Sequence, residues 1–303
     1  MSTKRKLMVT GANGFVAGSI LTQAGEEWQL HAVSRSEPLA RRENLHWHRC
    51  DPQAVDQLTQ LFHEVKPDAV IHTAALADID FCQAQPELAR TVNVELTRTL
   101  GNLCVATDAK LVFCSTDTVF DGEHAPYDEA APPGPINFYA ETKVEAEQIV
   151  SRLGASAVIA RLSLVLGLPV LGAGNSFLAR MIASFKDGRP VGATSHEVRT
   201  PVDVITVGQA LLELAAGPHA GIFHLAGQER LNRLEIAQRI ADRFGFSRHL
   251  VVAQAGAAVP GRAARPRDVS LANPKTVAHL KTPMRTLNEG LSLILKMSQT
   301  PIL

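Results

Sequence analysis

The chain has 303 residues, 46% apolar and 20% charged, with thirty basic side chains against thirty acidic ones. Those values suit a soluble globular protein of one large or two small domains and argue against a general nucleic-acid binder. No window approaches the ~18 apolar residues of a membrane span, and the basic start MSTKRK meets glycines before an apolar signal core can form. A cytoplasmic protein without a membrane partner is expected. The four cysteines (Cys50, Cys82, Cys104, Cys114) form no C-x-x-C pair and read as reduced thiols.

In chain order, KLMVT (6–10), LHAVS (30–34), LHWHR (45–49), DAVIHTA (68–74), KLVFCS (110–115) and SAVIARL (156–162) read as strands. Between them lie runs with helical spacing, such as AVDQLTQLFHEV (54–65) and LARTVNVELTRTLGNLCVAT (88–107). Repeated strand–helix–strand order requires parallel strands with right-handed crossovers. The strands are nearly continuous apolar runs, as they are when helices cover both sheet faces. The fold class is therefore α/β, a doubly wound parallel sheet. Regularity fades after about residue 163. GLPVLGAGN (167–175) and GAAVPGRAARPRD (256–268) read as loops, VGQALLELAAG (207–217) as a helix and GIFHLAG (221–227) as one more strand.

VTGANGFVAG (9–18) follows the first strand and opens a helix. Gly11 permits a tight turn and Gly14 lets backbone approach a pyrophosphate at the helix N-terminus, so Gly11, Asn13, Gly14, Phe15 and Val16 are candidate dinucleotide contacts. The fold is thus Rossmann-like. Residues 1–162, with a return segment at about 200–227, form the NAD(P)-binding domain, and 163–199 with 228–303 the smaller substrate-binding lobe. An acidic residue ending the second strand would hold the ribose of NAD. VSRSEP places Arg35 there instead, which favours the 2′-phosphate of NADP(H) over NAD(H); the alternative is a solvated surface arginine. Asp51, after the third strand, either accepts from the adenine amino group or caps the next helix.

Tyr139 stands four residues before Lys143 in NFYAETK, just after the turn-rich AAPPGPIN. On a helix the pair shares one face. A free phenol titrates at about 10, and bringing it to neutrality takes ~4 kcal/mol, within reach of an ammonium plus a nicotinamide cation. Such a tyrosine can donate its proton to a carbonyl oxygen. Ser115 and Thr116 close the fifth strand at the sheet edge where ligands bind, so a hydroxyl there can orient a substrate oxygen toward Tyr139.

VTGANGFVAG, HTAALADIDFCQAQPELARTVNV, STDTVFDG, APYDEAAPPGPINFYAETKVEAE and GIFHLAG occur in the order of an extended short-chain dehydrogenase/reductase. STDTVFDG followed by PYDE and YAETK most resembles the branch containing dTDP-4-dehydrorhamnose reductase, over most of residues 7–272. The resemblance implies Thr116, Tyr139 and Lys143 as the catalytic triad, with Tyr139 the acid and Lys143 also holding the nicotinamide ribose. It implies that Asn93 supports the site, that Ala74 and Ala75 pass beside the cofactor together with Ser115, and that two subunits pair through helices including the one carrying Tyr139.

The substrate half departs from the rhamnose-pathway pattern. RLSLVLG (161–167) has leucines where the branch offers an aromatic pair, so the sugar is less well specified than the enzyme class. Arg161, Arg199, Arg262, Arg265 and Arg267 are candidates for a substrate diphosphate, with Arg199 and Arg265 preferred, against surface charges as the alternative. His46 and His48 share a face of the third strand but lack a third ligand at suitable spacing, so no metal is expected. The reading is an NADP(H)-dependent reductase of a keto group on a nucleotide-linked deoxysugar. The alternatives are a cofactor-binding regulatory subunit, like the similar β-subunit of methionine adenosyltransferase, and a nucleotide-sugar epimerase or dehydratase.

Overall fold

The apolar runs become strands because they are buried on both faces; in Leu7, Met8 and Val9 no side chain reaches solvent. The computed structural model describes residues 4–38, 43–51, 54–171, 176–255 and 261–298. Seven strands form one sheet: β1 (Arg5–Thr10), β2 (Trp28–Ser34), β3 (Leu45–Arg49), β4 (Ala69–His72), β5 (Lys110–Thr116), β6 (Ala157–Leu162) and β7 (Gly221–Leu225). Their order is β7-β6-β5-β4-β1-β2-β3, and every pair is parallel. All seven expected strands are present within two residues at their starts, and the doubly wound α/β class holds. The chain leaves β1 toward β2 and later returns to the other side at β4. The carboxyl ends of β1 and β4 therefore flank a topological switch point, the crevice where such sheets bind ligands.

Two apolar layers cover the sheet. On one face α1 (Phe15–Gln23) packs with α8 (Val204–Ala216) against Leu30, Ile71 and Phe223. On the other, α2 (Val55–Val65), α5 (Leu96–Thr107) and α6 (Phe138–Ser151) cover Met8, Val70, Phe113 and Ile159. The stretch 88–107, read as one helix, is three pieces: the end of α4 (Pro86–Arg90), a π-helical turn over Thr91–Glu95, and α5.

The second lobe packs α7 (Phe177–Lys186), α9 (Arg233–Arg243) and α11 (Leu287–Ser298) around Leu178, Ile236, Ile240 and Leu291. A short parallel pair, Val191–Thr194 with Val251–Gln254, joins it. Asn232 and Glu235 close a capping box that fixes where α9 begins. Of the two loops expected at 167–175 and 256–268, residues 172–175 and 256–260 lie outside the described residues.

Candidate active site

Gly11 adopts φ +69°, and a Cβ there would sit 2.8 Å from both Cα and N of Ala74. Only glycine allows this strand-to-helix turn to lie against the chain leaving β4. Gly14 is the N-cap of α1 and brings no capping side chain, so the helix opens with backbone N–H groups available to an anion. A groove runs from here across the switch point, lined by Thr10, Gly11, Asn13 and Gly14, by Ser34–Ser36, and by Ala74 and Ala75. Asn13 donates to Ser36 Oγ, while its Oδ1 is buried without a partner. The glycine cradle and that orphaned acceptor fit a dinucleotide.

Arg35 is exposed on the groove wall, and Glu37, the next carboxylate, pairs with Arg49 at 3.0 Å. The side chains of Phe15 and Val16 pack against the core of the second lobe, and their backbone N–H groups are among those that open α1 toward the groove. Asp51 is exposed, and its neighbour Cys50 lines the groove in its place. Nor does Asp51 cap α2, whose N-cap is Ala54.

The proline-rich run ends at Asn137, whose side chain accepts from Ala140 N at 2.9 Å and starts α6. Two residues on, Tyr139 is 9% exposed, with its phenol near the Thr116 hydroxyl at the end of β5. Lys143 is buried; its Nζ donates to Cys114 O at 2.7 Å and stands 4.0 Å from the centre of the Phe113 ring. Thr116, Tyr139 and Lys143 thus converge at the carboxyl edge of the sheet, beside the groove.

Burial pushes the Tyr139 phenol up, the nearby Thr116 hydroxyl opposes this, and Asp117 adds to it. The Lys143 ammonium is directed to the Cys114 carbonyl. Burial brings Lys143 itself down to about 8. A tyrosine held protonated suits a proton donor better than a base.

Ser115 also departs from its expected role beside a cofactor: its Oγ is buried and donates to Glu147 Oε1 at 2.5 Å. Glu147 continues the Tyr139–Lys143 face of α6 and receives Arg161 from β6, Nη2 to Oε2 at 2.7 Å and Nε to Oε1 at 3.0 Å. Asn93 sits inside the π turn. Its Oδ1 accepts from Leu76 N at 2.8 Å, and its Nδ2 donates to Leu76 O and to Thr142 Oγ1, both at 3.0 Å. Thr142 in turn donates to Tyr139 O at 2.7 Å. Asn93 therefore ties the segment containing Ala74 and Ala75 to the helix that carries Tyr139.

Arg265, preferred as a substrate contact, forms a bidentate pair with Asp80 at 3.0 and 2.9 Å. Arg199 is buried, donates to Val198 O at 2.7 Å and lies 3.8 Å from Asp117. His46 and His48 do have a third histidine beside them: His31 on β2 stacks at 5.1 and 5.2 Å from their rings. Among the described residues no cluster of metal-ligand side chains is arranged to hold an ion. Sequence reading missed Glu147, Asp80 and Arg233, whose partners come from distant segments. Only the i+4 spacing of Glu147 from Lys143 signalled any of them.

A glycine-loop groove at a parallel-sheet switch point, whose Leu76 packs against the cluster holding Tyr139, with threonine and lysine beside that tyrosine, defines an NAD(P)-dependent oxidoreductase of the extended short-chain dehydrogenase/reductase kind. The model of the RmlD substrate binding domain matches residues 5–300, and the chain belongs to that family. The chain is 30% identical over 292 residues to a probable low-salt glycan biosynthesis reductase, Agl14, of Haloferax volcanii, covering 94% of this chain and 96% of that protein. It is 31% identical to methionine adenosyltransferase 2 subunit beta of Xenopus laevis, covering 81% of this chain and 74% of the relative. Its fold matches dTDP-4-dehydrorhamnose reductase from Bacillus anthracis in complex with NADP, with a TM-score of 0.86 and 25% identity over 97% of this chain and all of that one. Among the described residues no helix is long and apolar enough to cross a membrane.

Proposed function

We propose that this reductase uses NADPH to reduce the keto group of a nucleotide-linked deoxysugar, acting as a cytoplasmic homodimer. The observation that carries the reading is the convergence of Thr116, Tyr139 and Lys143 beside the glycine-loop groove. Bound NADPH supplies the hydride. The residues of the chain do the rest. Thr116 orients the carbonyl oxygen, Tyr139 donates the proton to it, and Lys143 stabilises the phenolate left behind and holds the cofactor's ribose. Asn93 keeps the Ala74–Ala75 segment against α6. Support for the substrate class comes from the names of the relatives, dTDP-4-dehydrorhamnose reductases, one of them in complex with NADP, and a probable glycan biosynthesis reductase.

The test is NADPH oxidation against a panel of nucleotide-linked 4-keto-6-deoxysugars; turnover with one of them is the expected result. Silence across the panel with NADPH bound would favour the second reading, a regulatory subunit, which rests on the likeness to methionine adenosyltransferase 2 subunit beta.

Cofactor preference is tested separately at Arg35, which is exposed on the groove wall. Arg35→Ala should raise the Kd for NADPH about tenfold or more, the loss of a charge-assisted phosphate contact, and leave NADH nearly unchanged. Fluorescence titration reads both. Equal weakening of the two cofactors would place Arg35 on a part of the dinucleotide that they share.

A further inference from the structure

A sugar nucleotide carries its diphosphate on the anomeric carbon, across the ring from a 4-keto group, so carbonyl and anion need separate contacts. The two arginines preferred from the sequence are already engaged. Arg265 is held by Asp80 and donates to Ala263 O at 2.7 Å, and Arg199 is 7% exposed between Asp117 and Glu197.

A third arginine stands differently. Arg233, the first residue of α9, lies with its guanidinium 4.6 Å from the centre of the Phe177 ring, and its Nε is 3.6 Å from Glu197 Oε2. Its Nη1 is sealed from solvent and has no hydrogen-bond partner. A buried guanidinium N–H without an acceptor is costly, and such groups are nearly always satisfied by something.

Arg233 is connected to the reacting centre. Thr116 Oγ1 lies 3.3 Å from Asp117 Oδ1, and Asp117 Oδ2 is 3.8 Å from Arg199 Nε. Arg199 Nη2 is 3.7 Å from Glu197 Oε2, which also faces Arg233. One end of this path is at the hydroxyl that would orient the carbonyl, and the other is at the unsatisfied guanidinium. Arg262 adds a further positive charge near Arg233; its side chain is half exposed, and Nε is 3.6 Å from an Asp80 already taken by Arg265. Four guanidiniums (Arg199, Arg233, Arg262, Arg265) thus face three carboxylates (Asp80, Asp117, Glu197), leaving a positive surplus. Burial raises the Asp117 carboxyl, which adds to that surplus, and burial followed by repulsion from Arg199 brings Arg233 down to about 10. An anion between Arg233 and Arg262 would relieve both the repulsion and the missing acceptor.

We propose that Arg233, supported by Arg262, binds the diphosphate of the substrate's nucleoside diphosphate group. The assignment rests on the reading that the substrate is nucleotide-linked.

The test is calorimetric titration of the NADPH-loaded protein with dTDP, UDP, thymidine and inorganic pyrophosphate, for wild type, Arg233→Met, Arg233→Lys and Arg189→Ala. Arg189 is an exposed arginine paired with Asp187 and serves as control. Wild type and Arg189→Ala should bind a nucleoside diphosphate alike, with Arg233→Met weaker by about tenfold or more and thymidine unaffected. Arg233→Lys should recover part of the loss, and it decides the matter if the methionine variant melts early. A methionine variant that binds dTDP and UDP as wild type does would overturn the assignment and leave the proposed function standing. Pyrophosphate binding as tightly as dTDP and UDP would overturn the nucleotide source. Wild-type protein that takes up NADPH but none of these probes would remove the nucleotide-linked substrate, and the assignment with it.

Discussion

Replacing Tyr139 by phenylalanine should lower kcat by ~10²–10⁴, the usual contribution of a positioned general acid, while NADPH binding stays within a few-fold of wild type. The substitution removes one oxygen from a nearly buried side chain and leaves the ring packed beside Cys82 and Ala89. Thr116 keeps Asp117 and Thr118 as partners, and Lys143 keeps its bond to Cys114 O. The proton should therefore be lost without the site. Burial holds the phenol protonated at neutral pH, so supply of the proton does not limit the reduction there. What remains behind is a phenolate, and Lys143 must be charged to stabilise it. Lys143 titrates at about 8, brought down by burial against the opposing effect of Cys114 and Glu147. Its ammonium is present below that value and lost above it, so the rate should fall as pH rises through about 8. His72, buried nearby between Thr10 and Thr97, is lowered to about 3 and stays neutral throughout this range. A stopped-flow pH profile of wild type, with steady-state rates for the phenylalanine variant, checks both points. A Tyr139→Phe enzyme retaining more than about a tenth of the wild-type rate would move the proton donor elsewhere, with Thr116 the first alternative.

The parts legible in the sequence are those written in local patterns. Buried parallel strands must be apolar on both faces, so KLVFCS or SAVIARL could be recognised without knowing any partner. The start of α6 was legible because the turn-rich run AAPPGPIN ends there, and the i, i+4 spacing then puts Tyr139 and Lys143 on one face. Thr116 joins them because the carboxyl end of β5 lies at the same sheet edge. What stayed hidden depends on distant pairs. Arg265 meets Asp80 across 185 residues, and no local feature of RPRDVSL marks that it will be engaged. Ser115 looks like a groove residue until Glu147 and Arg161 arrive from α6 and β6. The π turn at Thr91–Glu95 breaks a segment of uniform helical spacing, and Asn93 in it is held by Leu76 and Thr142. Two-residue strands after β6 carry too little sequence to show a period.

Arg161→Met should cost ~3–5 kcal/mol of stability, the penalty for leaving one member of a buried ion pair behind. Arg161 and Glu147 have side chains only 2% and 6% exposed, and nothing of comparable charge replaces the guanidinium once it is gone. Ser115 still donates to Glu147, but one neutral hydroxyl does not compensate a carboxylate removed from water. The arginine also lies 5.0 Å from the centre of the Phe120 ring and 3.5 Å from His224 Nε2, so its loss loosens the contact between β6, β7 and the turn after β5. In a chain of this size the melting temperature should fall on the order of 10 °C. Adding Glu147→Gln to Arg161→Met should restore most of the loss, because the stranded charge disappears with its partner. Urea unfolding of the two single variants and the double variant closes the cycle. A single-variant loss below about 1 kcal/mol, the size of an exposed pair, would show that water reaches Glu147 when Arg161 is removed. The pair would then tie β6 to α6 without fixing either. A loss of the expected size instead makes Arg161 and Glu147 the fixed point behind Ser115, Thr116 and Lys143, so that the proton donor and its neighbouring ammonium rest on a support solvent does not enter.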